Sequence, residues 1–97
     1  MMGGRGGSSG ISSGNVRSLI KSDRAKYQNY MDSMKTEAIA IGYIQEERAE
    51  LVRKVGWNKE MAASVTDAVI KRDHLAEADK FQARVDAADR FLASLKK

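Results

Sequence analysis

Cysteine and proline are both absent from this 97-residue chain, and histidine occurs once. Without cysteine there are no disulfides and no thiolate metal sites, which fits a reducing compartment, so the cytoplasm is the expected location. Without proline, nothing in the sequence forbids long helices. One histidine cannot supply the paired Glu-x-x-His ligands of a bundle metal site. His74 with Asp73 and Glu77 offers half a surface site at most and reads as a solvated helix residue. Nor does the chain hold a Ser or Cys nucleophile beside a His that an acid orients. The glycine-rich leader also lacks the Gly-Lys-Ser/Thr ending of a phosphate-binding loop. No enzymatic activity, metal, cofactor or small-molecule substrate is expected. The longest uncharged runs, residues 6–16 and 38–45, fall short of the roughly 20 apolar residues that span a bilayer, so no membrane span is expected.

What the chain does contain separates into two parts. The first fourteen residues, MMGGRGGSSGISSG, hold six of the eight glycines and, after the methionines, one large apolar residue, Ile11. Such a segment cannot bury enough surface to offset its ordering entropy, so residues 1–14 are expected to form a flexible, disordered arm. Arg5 within Gly-Gly-Arg-Gly-Gly is one RGG element of the kind that binds RNA in arrays. The run from Gly3 to Gly10 resembles the Gly-Gly-Arg-Gly-x-Ser-Ser-Gly opening of small proteins encoded by phages and prophages of Gram-positive bacteria. That resemblance implies a phage origin and carries over no functional residue. After residue 15, Ala, Lys, Arg, Glu, Leu and Met dominate and the β-branched residues are dispersed, which predicts an all-α fold.

The rest reads as an antiparallel two-helix coiled-coil hairpin: helix 16–55, turn 56–58, helix 59–96. Ile20, Tyr27, Met34, Ile41 and Val55 fall in one heptad row, and Met61, Val65, Ala68, Leu75, Ala78, Phe81, Val85, Ala88, Leu92 and Leu95 form the second stripe. Gly56 suits the position just after a helix, with Arg53 and Lys54 against the negative helix end. Asn58 is a favoured N-cap, with Trp57 before it positioned to staple onto Ala62. This register places Ile20 opposite Leu92, Tyr27 opposite Val85, Met34 opposite Ala78 or Phe81, and Leu51 opposite Met61 or Ala62. Glu50 with Lys54, Asp67 with Lys71 and Asp86 with Arg90 are expected as i,i+4 pairs. In its length and in having Gly and Trp at the turn, the chain resembles the secreted WXG100 hairpins. It lacks their Trp-x-Gly order and their C-terminal Tyr-x-x-x-Asp/Glu.

Two helices without staples bury too little surface to be stable alone. Ile39, Ile41, Gly42 and Tyr43, with Val69 and Ile70 opposite, make the middle of the hairpin apolar on more than one side. Those six residues are therefore expected to form a self-association surface, closing a homodimeric four-helix bundle or docking on a protein partner. A monomer bent at Gly42, folding a third helix onto the patch, is the alternative. Arg5, Arg17, Lys21, Arg24 and Lys26 against Asp23 account for the whole net charge of +4, making a basic pole that is a candidate anionic-ligand or nucleic-acid site. The sequence thus points to a non-enzymatic helical protein-binding module, a phage structural accessory or an inhibitor of a host protein complex. The rival readings are a small basic nucleic-acid-binding protein and a WXG100-like hairpin.

Overall fold

The structure, a computed structural model, describes residues 13–96, with side chains from Asn15 onward. It is all-α: α1 (Ser13–Ser33), α2 (Glu37–Ser64) and α3 (Ala68–Ser94), with no strand among the described residues. Three helices replace the expected two. Helix 16–55 is interrupted at residues 34–36, the expected turn at 56–58 lies inside α2, and the chain reverses instead at 65–67. Of the expected arm, residues 1–12, Arg5 among them, lie outside the described residues, while Ser13 and Gly14 begin α1.

The displaced turn has a packing cause. Ile44, Leu51, Val55, Asn58 and Ala62 are all buried and follow one another at steps of seven, four, three and four, a single stripe running straight across Gly56. Ending the helix at Gly56 would strip that stripe of its last turns, whereas keeping glycine in a helix costs only about 0.5–1 kcal/mol relative to alanine. Gly56 is not in the left-handed region, and nothing lies within 4 Å of where its Cβ would be. Asn58, deep in α2, cannot cap. The caps are Thr36, whose Oγ1 accepts the Ile39 N–H at 3.2 Å, and Asp67, whose Oδ1 accepts from Val69 at 2.9 Å and Ile70 at 3.1 Å. Val65 closes the end of α2 by donating its N–H to the Met61 carbonyl at 3.2 Å. None of the three expected i,i+4 pairs forms: Glu50 binds Arg53, Asp67 caps, and Asp86 accepts from Gln82.

Helices α2 and α3 pack antiparallel about the 65–67 turn, in a register that sets Leu51 and Val55 against Ala78, Val85 and Phe81, and Arg48 against Asp89. Leu51 therefore does not meet Met61 or Ala62. Helix α1 packs antiparallel on α2, with Tyr30 beside Tyr43 and Lys26 bound to Glu47 at 3.2 Å. Tyr27 is buried with Ile44 and Ala88 and tilts against Phe91 at 5.6 Å, not against Val85. Its burial, with Asp23 and Glu47 nearby, pushes its phenol up to about 12, so the ring stays neutral at any physiological pH. Asp23, itself buried, accepts two hydrogen bonds from Arg84 at 2.8 and 3.0 Å, a bidentate pair tying α1 to α3. The guanidinium is raised above its usual value by that bond.

Two outcomes test this arrangement. Gly56→Ala should stabilise by about 0.5–1 kcal/mol, raising the melting temperature by roughly 4–8 °C per kcal/mol in a domain of this size. A glycine needed at a turn would instead make the same change destabilising, and a circular-dichroism melt separates the two. Asp23→Ala strands a largely buried guanidinium and should cost about 2–3 kcal/mol, less than for a fully enclosed pair. Hydrogen exchange should rise first in α1, and Asp23→Leu combined with Arg84→Met should recover most of the loss.

Candidate functional site

The six residues expected to form one apolar patch are divided by the register. Asn58 reaches His74 across the α2/α3 seam, so Ile70 lies level with residues near 62 on α2. At 1.5 Å per residue, that is about 35 Å from Ile39. Ile39 and Tyr43 are exposed at the start of α2, and Val69 and Ile70 are exposed at the start of α3. Ile41 is partly buried and lines a groove with Leu92, while Gly42 has open space where a Cβ would sit. They form two separate sites at opposite ends.

The basic pole is only partly assembled. Arg17, Lys21 and Arg24 are exposed on α1 with no ion pair among the described residues, but Lys26 is committed to Glu47. Arg24 and Arg90 share a cleft of about 190 Å³ between α1 and α3, floored by Ile20, Ala87 and Phe91.

A third location, absent from the sequence reading, has the most developed geometry. Lys54, Trp57, Asn58, Asp73, His74, Glu77 and Phe81 line a groove of about 470 Å³ toward the turn end of α2 and α3, and no residue of α1 reaches it. Trp57 forms one wall and is 55% exposed. Its ring meets the His74 ring edge-on, centroids 5.6 Å apart at 80°. Beneath them, buried Asn58 donates its Nδ2 to the Lys54 carbonyl at 2.9 Å, which turns its Oδ1 toward His74 Nδ1 at 3.0 Å and requires the proton on that nitrogen. The opposite wall, Phe81, is covered by two cations, Lys54 at 5.5 Å and Arg84 at 5.8 Å from its centroid. Glu77 is held by Lys80 at 2.9 Å.

An aromatic wall with its neighbours fixed by hydrogen bonds, exposed beside an apolar wall, suits capture of an apolar side chain. No group of three or more His, Asp or Glu able to hold a metal occurs among the described residues, and His74 is bonded into the groove rather than solvated. The signal that marks this site in the sequence is the Leu51-Val55-Asn58-Ala62 spacing, which carries α2 through the point where a turn was expected. Trp57 within a helix also leaves the likeness to WXG100 hairpins without its turn. No helix among the described residues is long and apolar enough to cross a membrane.

No family model matches this chain, and neither the curated proteins nor the solved structures compared with it contain a match.

Asn58→Ala removes both side-chain bonds and leaves the His74 nitrogen unpartnered. It should cost about 1–3 kcal/mol and shift Trp57 emission as the histidine loses its fixed position. An unchanged denaturation midpoint with unchanged emission would show that the Asn58–His74 contact contributes nothing.

Proposed function

We propose that this protein is a non-enzymatic helical module that binds another protein by seating one of its apolar side chains between Trp57 and Phe81. The half-exposed Trp57, braced by His74, carries this reading. Tryptophan is the side chain most enriched among residues that dominate binding energy, and such residues sit in preformed pockets rimmed by polar groups. Here Lys54, Asp73 and Glu77 supply the rim. The likeness of the leader to phage-encoded proteins supports a role as a structural accessory or as an inhibitor of a host protein complex. Binding to nucleic acid is the second reading, favoured by Arg24 and Arg90 facing one cleft, neither in an ion pair among the described residues.

A photo-crosslinking amino acid at position 57 should give one discrete protein adduct in the native host, and the same group at exposed Val52 should not. Against the partner so identified, Trp57→Ala should weaken Kd about thirtyfold, the 2 kcal/mol of a binding hot spot, with little change in melting temperature. Sub-micromolar affinity for DNA or RNA at physiological salt, abolished by Arg24→Glu with Arg90→Glu and insensitive to Trp57→Ala, would favour the second reading. Its log–log salt slope would fall by about 0.7–0.9 for each phosphate contact removed.

A further inference from the structure

We infer that α1 exchanges between two copies of this chain, giving a two-fold dimer in which α1 and α2 of each copy join into one helix and Met34 of one copy packs on Ile39 of the other. The starting observation is a conflict at residues 34–36. The break contains Met34, Lys35 and Thr36, with neither glycine nor proline, and the row Ile20, Tyr27, Met34, Ile41 passes through it at unbroken heptad spacing. Locally, these residues favour continuing the helix. What ends it is one cap, the Thr36 Oγ1 to the Ile39 N–H, together with the docking of α1.

That docking is independent of the connection. Asp23 on Arg84, Tyr27 against Ile44 and Ala88, and Lys26 on Glu47 all join α1 to α2 or α3, and α1 of a second copy can make each of them unchanged. Two closed chains and one exchanged dimer thus differ only at the hinge, in the new contact there, and in the entropy of association. A short connection whose residues prefer another conformation is the condition under which identical elements trade places.

The register supplies the new contact. Within one chain, position 26 lies opposite 47 and position 30 opposite 43. Continuing the same antiparallel register through a straightened hinge sets Met34 of one copy opposite Ile39 of the other, twice by symmetry. Ile39 is 47% exposed in the closed chain, and the exchange covers it with an apolar partner while keeping the α1 docking contacts, at the loss of the Thr36 cap.

The absence of cysteine and the small size make isotope-filtered NMR the direct test. Labelled and unlabelled chains are unfolded together, refolded near millimolar concentration, and the dimer fraction is isolated. Intermolecular contacts between the Tyr27 ring and the Ala88 methyl are expected. Thr36→Ala, which removes the cap from both closed chains, should raise the dimerisation constant roughly thirtyfold. A six-residue Gly/Ser insertion after Lys35, which relaxes the turn without touching the docked surfaces, should lower it at least tenfold. Trp57→Ala should leave it unchanged, which separates this inference from the docking reading. A chain that stays monomeric near millimolar concentration both as wild type and as Thr36→Ala overturns the inference. So does a dimer whose Tyr27–Ala88 contacts are all intramolecular.

Discussion

The buried stripe Ile44, Leu51, Val55, Asn58 and Ala62 on α2 fixes where everything else goes. It needs a covering helix along its whole length, and α3 can supply one only if the chain reverses after Ser64. That displaces the reversal about ten residues beyond Gly56, and the α2/α3 register shifts with it. Small residues on α3 allow the approach: Ala78, Ala87 and Ala88 are all buried. Helix α1 then covers the other end, where Ile44 and Ala88 present a trough that Tyr27 fills.

Within that stripe Asn58 is the one polar member, and its role is register rather than added strength. Its amide is satisfied only when the Lys54 carbonyl and His74 are both in place. Sliding α3 by one turn would bury the amide oxygen without a donor, at about 1–3 kcal/mol. The apolar members would tolerate the same slip with modest repacking, so the hydrogen bond to His74 disfavours alternative pairings that uniform apolar stripes leave open. Trp57 acquires its position from this lock, because the histidine that Asn58 holds is the one whose ring it meets. Asp23 performs the corresponding task for α1, where Arg84 is the only described cation bonded to it.

Composition made the helical class legible: no proline, dispersed β-branched residues and abundant good helix formers leave little else. The number of helices was not legible, and both errors trace to particular residues. Gly56-Trp57-Asn58 carries strong local stop and start signals, but those signals are worth about 1 kcal/mol each, less than the buried turns beyond them. Thr36 and Asp67 are also favoured N-cap residues, yet an unbroken heptad row passes across Thr36 and Asp67 has Lys71 four residues on, so each reads as helix interior. The site suffered accordingly. Exposure of Ile39, Tyr43, Val69 and Ile70 follows from hydrophobicity off the main seam, but their grouping depended on a register set by the wrong turn. The Trp57 groove was out of reach because a residue assigned to a loop cannot form the wall of an interhelical cleft.

Local preference and tertiary packing disagree at two points of this chain, and in opposite senses. At Gly56, packing sustains a helix that the local residues would end; at 34–36, docking of α1 ends a helix that the local residues would continue. The molecule is consequently uneven along its axis. Where α1 docks there are three helices, Tyr27 is sealed, and the Asp23–Arg84 pair closes the layer. Toward the 65–67 turn no residue of α1 lines the cleft between α2 and α3. Phe81 stands at the boundary, with Arg84 of the α1 clamp and Lys54 of the groove over its ring. One guanidinium therefore serves both regions, binding Asp23 of α1 and lying over the Phe81 ring that walls the groove.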